Sequence, residues 1–221
     1  MTDGSRGLFD KQLEDLRSSI VELTSLVGTA IEHAIKALKD QDTELAHQVV
    51  ESDGEINDKR FDIEEQCLTL IATQQPAARD LRAIVAAIHL ATELERMGDY
   101  AAGIAEIAVN LAKLPELKPL IDLPRMADID QEMIRTSLDA YLNEDAELAL
   151  ATAKRDAEID QLYDQIYREL LTYMLEDPRN IARATQLLWV SHNLERIADR
   201  VSNICERVIF MTSGKFTEFN Y

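Results

Sequence analysis

Apolar side chains recur every three or four residues over most of this chain, the spacing that lines them along one face of a helix. Leu13, Leu16, Ile20, Leu23, Val27, Ile31 and Ile35 form one such stripe and predict a first helix over residues 8–38. A short acidic turn at residues 40–43 supplies N-cap side chains, and a second helix is expected over residues 44–72. Gln74, Gln75 and Pro76 end it, and proline suits the first turn of a third helix running to residue 113. Pro115, Pro119 and Pro124 punctuate a linker. Beyond it the same succession returns, with helices expected over residues 126–142, 145–175 and 178–211.

The last helix of each half has a regular seam. Leu90, Leu94, Met97, Ala101, Ile104, Ala108 and Leu111 step alternately by three and four, as do Leu187, Val190, Leu194, Ile197, Val201, Ile204 and Val208. That is the period of antiparallel bundle packing. The halves also match residue by residue. Leu94-Glu-Arg-Met-Gly-Asp99 returns 100 residues later as Leu194-Glu-Arg-Ile-Ala-Asp199, and Asp53-Gly-Glu-Ile-Asn57 returns 103 residues later as Asp156-Ala-Glu-Ile-Asp160. Asp42 and Asp145, like Glu44 and Glu147, keep the offset of 103. The chain is therefore expected to be all-α, with two tandem three-helix bundles, six helices in all, from an internal duplication. The first repeat covers residues 8–114, a proline-containing linker 115–125, the second repeat 126–213, and a frayed tail 214–221.

Composition agrees. Of 221 residues 46% are apolar, while only seven are glycine and five proline, too few for a turn-rich sandwich or barrel. The net charge of −18 repels phosphodiester backbones and anionic lipid headgroups, and attracts cations and basic protein surfaces. Cys67 and Cys205 lie far apart in no CxxC pattern, which points to a reducing compartment and away from a zinc knuckle. No apolar stretch reaches the ~20 residues of a membrane span, and residues 1–10 lack an apolar signal core. A cytoplasmic protein without membrane insertion or nucleic-acid binding is expected.

The acidic residues supply the candidate chemistry. Glu95/Asp99 and Glu195/Asp199 are spaced i, i+4, so each pair shares a helical face. With Leu94 and Leu194 in the seam, the carboxylates fall at outward positions. Counting back through the turns near residues 76 and 177, Asp53 and Asn57 fall level with the first pair, and Asp156 and Asp160 with the second. Four oxygen-bearing side chains per repeat are expected to converge. Carboxylates gathered without a cation raise one another's pKa, and an all-oxygen set favours hard ions such as Mg²⁺, Mn²⁺, Ca²⁺ or iron over tetrahedral zinc. His192 and Asn203 stand near the second set as further donors, although the first repeat has Thr92 and Gly103 there. Arg96 and Arg196 are placed to neutralise neighbouring acids, and Trp189 reads as packing.

These residues resemble a known family. Gln75-Pro76-x-Ala78-x-Asp80-Leu81-Arg82 followed by Leu94–Asp99, then Pro178, Leu187-Leu188, Leu194–Asp199 and Asn203-Ile204, resemble the paired signatures of PhoU proteins over nearly the whole chain. Arg200, where the family often has histidine, is a departure. The resemblance implies metal clusters at Glu95/Asp99 with Asp53/Asn57 and at Glu195/Asp199 with Asp156/Asp160, holding manganese, magnesium or iron. It implies a cytosolic, often dimeric, non-enzymatic negative regulator of phosphate uptake. Such proteins couple the ATPase subunit of the phosphate ABC transporter to the sensor histidine kinase of the phosphate response. An accessory role to a low-affinity phosphate permease is the related alternative. A carboxylate-bridged metalloenzyme is the alternative of another class, disfavoured because the motifs lack paired histidines. Asn57, a weaker ligand than Asp160, implies a first site that binds metal less tightly than the second or with different nuclearity.

Overall fold

Helices make up nearly all of the computed structural model, which describes residues 3–215, and no strand occurs among them. The first repeat contains α1 (Asp3–Asp40), α2 (Thr43–Gln74) and α3 (Ala78–Leu111). The second contains α4 (Asp122–Leu142), α5 (Ala146–Ala153), α6 (Asp156–Glu176) and α7 (Ile181–Ser213), the last preceded by a 3₁₀ turn at Pro178–Asn180. The six expected helices are present, the fifth broken in two. Its break falls at Lys154 and Arg155, where Arg155 bonds both Glu158 on α6 and Glu132 on α4. Asp156 and Glu158 then sit in the first turn of a new helix, where the backbone dipole favours carboxylates. Nothing in the apolar spacing marks this interruption.

Other boundaries shift for identifiable reasons. Helix α1 starts at Asp3, ahead of the expected residue 8, and buries Phe9. Pro76 precedes α3 rather than opening it, because Gln75 ends α2 in the left-handed region at φ 48° and Ala77 is the cap residue. Helix α4 begins at Asp122, so Pro124 lies in its first turn, where its missing N–H costs nothing. The expected tail beyond residue 215 lies outside the described residues.

The α1–α2 and α4–α5 corners are built alike. Gln41 and Glu144, 103 residues apart, both take φ 54°, and each precedes a capping aspartate. Asp42 accepts the Leu45 N–H at 3.0 Å, and Asp145 accepts those of Glu147 and Leu148 at 3.0 and 2.9 Å. The duplication is thus visible in backbone dihedrals as well as in sequence.

Helices α3 and α7 pack against each other at the centre, and one continuous core spans both repeats. Every residue of the two seams except Leu111 is buried. The two helices run antiparallel: Arg82 donates to the Met211 carbonyl at 3.3 Å, Glu93 accepts from Asn203 at 3.1 Å, and a Cβ on Gly103 would lie 3.1 Å from the Asn193 amide. Helices α1 and α4 also meet antiparallel, through Arg17 with Glu144 and Gly28 with Gln131. Cys67 and Cys205 are buried free thiols, both pushed up to about 12, by burial above all.

Candidate functional site

In the first repeat, α2 and α3 approach closely because Gly98 has no side chain. A Cβ there would meet Ile56 at 3.0 Å and Asp53 Oδ1 at 3.6 Å. This brings Asp53 and Asn57 of α2 beside Glu95 and Asp99 of α3. Burial, then the Asp99 charge, pushes the Asp53 carboxyl above its usual range, while the Asn57 amide pulls it down. Asn57 Nδ2 donates to Asp53 Oδ2 at 3.1 Å, leaving Asp53 Oδ1 buried without a hydrogen-bond partner. Glu95 is likewise raised, by burial, then by Asp99 and also Asp53, against the opposing charges of Arg60 and Arg96. Arg60, on α2, lies 3.9 Å from Glu95 and also pairs with Glu64. A guanidinium therefore already neutralises part of this set.

The second repeat assembles the same four positions with more charge and more cover. Asp156 and Asp160 of α6 face Glu195 and Asp199 of α7. Asp156 is buried, and its carboxyl rises to about 6 through burial and then the charges of Asp160, Asp199 and Glu195. Asp160 is raised by burial and by Asp199. Glu195 is raised by burial and Asp199, opposed by Arg196, and its Oε2 is buried without a hydrogen-bond partner. Asp99 is exposed as expected and Asp160 is exposed too, but Glu95, Glu195 and Asp199 are half-buried and Asp156 is covered. The acids thus line the crevice between two helices rather than one outer face, because the antiparallel partner helix shields them.

Of the neighbouring residues, His192 and Arg196 stand at the second set, whereas Asn203 and Trp189 depart from expectation. His192 places Nδ1 3.5 Å from Glu195 Oε2, inside an aromatic group with Tyr163 and Trp189. Burial, then Arg196, lowers its pKa, so it is neutral at pH 7. Trp189 is 56% exposed and does not belong to the core. Asn203 and Arg200 both bond Glu93 across the α3–α7 contact, although the Arg200 charge still reaches Glu195. Arg196 does pair with Asp199, at 3.2 Å.

Sequence reasoning missed Asp130. It sits in the buried stripe of α4 with Met126, Ala127, Met133 and Ile134, fully covered, and neither carboxylate oxygen has a hydrogen-bond partner. Burial and then the Asp156 charge push its carboxyl well above the usual carboxylate range. The available signal was an acid at a seam position where the first repeat, 103 residues earlier, has Val27.

What the two sets share is crowded negative charge: mutually raised carboxylates, with buried oxygens on Asp53 and Glu195 that accept no hydrogen bond. Oxygen donors in that condition fit a hard cation, which would supply the missing countercharge. Among the described residues no three Asp, Glu, His or Cys side chains stand in a preformed cation cage. Side-chain rotation would have to bring the donors onto an ion.

The PhoU domain family matches this chain twice, over residues 20–108 and 123–208. The chain belongs to the PhoU family. It is 40% identical over 211 residues to an Aquifex aeolicus protein named phosphate-specific transport system accessory protein PhoU homolog, covering 96% of each chain. A Pseudomonas aeruginosa protein of the same name is 39% identical, over 93% of this chain and 86% of its own. The crystal structure of PhoU from Pseudomonas aeruginosa superposes with a TM-score of 0.89 at 39% identity, covering 94% of this chain and all of that one. The phosphate transport system regulatory protein PhoU from Streptococcus pneumoniae gives 0.88 at 32%, over 96% of this chain and all of its own. Like these PhoU structures, the chain is a pair of helical repeats. Among its described residues no helix is long and apolar enough to cross a membrane.

Proposed function

We propose that this PhoU-family chain is a non-enzymatic accessory protein of a phosphate-specific transport system, binding hard cations at two acid sites and docking through acidic helix faces. The observation that carries the reading is its near-complete alignment, at about the same identity, with relatives named as accessory proteins of that system. As a negative regulator it would contact the transporter's ATPase subunit and the sensor histidine kinase of the phosphate response, at the cytoplasmic face of the membrane and as a homodimer. A net charge of −18 suits basic partner surfaces.

Asp53, Asn57, Glu95 and Asp99 would hold cations in the first repeat, and Asp156, Asp160, Glu195 and Asp199 in the second. Manganese, magnesium and iron suit these oxygen donors better than zinc. A bound cation would neutralise the crevice and tie α2 to α3 and α6 to α7. For the protein's own residues, the consequence is that Arg60 and Arg196 no longer carry the local countercharge alone.

Elemental analysis of gently purified protein tests the metal, beside a variant carrying Glu95→Ala, Asp99→Ala, Glu195→Ala and Asp199→Ala. Stoichiometric manganese or iron in the wild type and its loss in the variant would support the sites; metal-free protein after loading would remove them. Phosphate uptake and kinase output in a strain lacking the chain test the regulatory role. An unchanged response to phosphate would overturn it.

A further inference from the structure

The two repeats do not present equivalent acid sets. Position 130, inside the second bundle, carries a carboxylate where the matching position 27 carries valine. Burying a carboxyl group with neither oxygen bonded is costly, and the first repeat shows that this place in the seam packs with an apolar residue. Asp130 is fully covered and both its oxygens lack partners; Arg155, next to Asp156, bonds Glu132, two residues along α4 from Asp130, so the two helices meet where Asp130 and Asp156, the most buried acid of the second set, stand. It therefore backs the acid crevice from the core side.

The balance of charge differs in the same sense. Arg60 approaches Glu95 in the first repeat, whereas the matching residue 103 positions later is Tyr163. Asn57 is matched by Asp160. The first set thus has three carboxylates, Asp53, Glu95 and Asp99, with Arg60 beside them, and the second has four, Asp156, Asp160, Glu195 and Asp199, with Arg196 against Asp199 and a further acid behind.

We propose that Asp130 is a fifth carboxylate ligand of the second site, reaching it from the bundle core beside Asp156, and that this site consequently holds its cation more tightly than the first. This rests on the reading of the acid sets as cation sites. Asp130 takes no place among the α6 and α7 acid pairs. It comes from a third helix, α4, so that an ion it touches joins three helices instead of two.

The test uses the full-length chain stripped with EDTA and titrated with manganese(II) chloride, with free Mn²⁺ followed by its aqueous EPR signal. Thermal unfolding is recorded with EDTA and with saturating manganese. Asp130→Asn keeps the shape, and Asp130→Val installs the first repeat's residue. Both should raise Tm in EDTA, since a buried acid is gone, yet weaken the tight manganese site about tenfold or more and shrink the Tm gain that manganese gives. If both bind manganese as the wild type does while Asp199→Ala loses it, the cation site stands and the role of Asp130 falls. A lowered Tm in EDTA for both would make Asp130 a structural group and overturn the proposal. Absence of manganese binding by the wild type would sink the cation reading with it.

Discussion

Gln131 donates its side-chain amide to the carbonyl oxygen of Gly28 at 2.6 Å, and the two residues stand 103 positions apart, at matching places in the two repeats. Matching residues meet only close to an axis that exchanges the copies. The α3–α7 contact obeys the same axis. Glu93 meets Asn203, and their counterparts 100 positions away, Asn193 and Gly103, also meet. The exchange is imperfect in chemistry: on one side a carboxylate accepts from an amide and from Arg200, on the other an amide lies against a glycine.

Glu93 is the acceptor on which that contact depends. Its Oε2 takes Arg200 at 3.3 Å and Asn203 at 3.1 Å, and the side chains of Glu93 and Arg200 are each only 17% exposed. Glu93→Ala leaves a sheltered guanidinium unpaired and should lower stability by about 2–3 kcal/mol. Urea unfolding measures this. An unchanged midpoint would show that the seam alone holds the repeats together.

The acid sets make stability depend on pH in a direction opposite to ordinary acid denaturation. Asp156 has a folded-state pKa of about 6, against about 3.9 in an unfolded chain. Between those values the folded chain holds a proton that the unfolded chain has released. Stability of the metal-free protein therefore rises as pH falls through 6 and is lowest above it, by up to roughly 3 kcal/mol for this group. Asp53, Glu95, Asp160 and Glu195 are raised as well and act in the same sense. Urea midpoints in EDTA should increase from pH 7.5 to pH 5, and a decrease would contradict the assignment.

Converting the first site toward the second should strengthen it. Asn57→Asp together with Arg60→Tyr adds a carboxylate and removes the guanidinium near Glu95. Manganese affinity at the first site is expected to rise about tenfold or more, read by titration in an Asp199→Ala background. Without metal the same pair of changes should lower Tm, because the remaining acids lose their countercharge.

Gln41 is strained in a way that glycine would relieve. It ends the α1 corner at φ 54°, a conformation glycine adopts freely, and unlike Glu144 it has no paired arginine among the described contacts. Gln41→Gly should stabilise the chain by about 0.5–1 kcal/mol. Thermal unfolding reads this as a rise of a few degrees, and a fall would mean that the Gln41 side chain contributes packing of its own.

The fold was legible because its determinants repeat. Seam spacing in α3 and α7 is a local property of the chain, and the Asp42 and Asp145 caps are marked by residue type alone. The meeting of Asp53 with Asp99 followed from equal counts back through one turn. What escaped was set by azimuth and tertiary approach. The α5–α6 break depends on Arg155 reaching Glu132, a contact made 23 positions away on another helix. Asn203 belongs to Glu93 because α3 and α7 cross where they do, which no spacing within α7 reveals. Asp130 was missed for a different reason: a single acid in an apolar stripe does not disturb the period, and its meaning lies in the unmatched Val27.

A self-complementary contact between two identical chains obliges every residue on one side to appear on the other. The 28–131, 93–203 and 103–193 contacts retain that isologous pattern, but they lie within one covalent chain. Fusion releases each copy from the identity rule. Valine against aspartate at 27 and 130, asparagine against aspartate at 57 and 160, and arginine against tyrosine at 60 and 163 are substitutions no symmetric dimer of single repeats could carry on one side only. By joining its halves, the chain gained the means to line two crevices of one architecture with different charge.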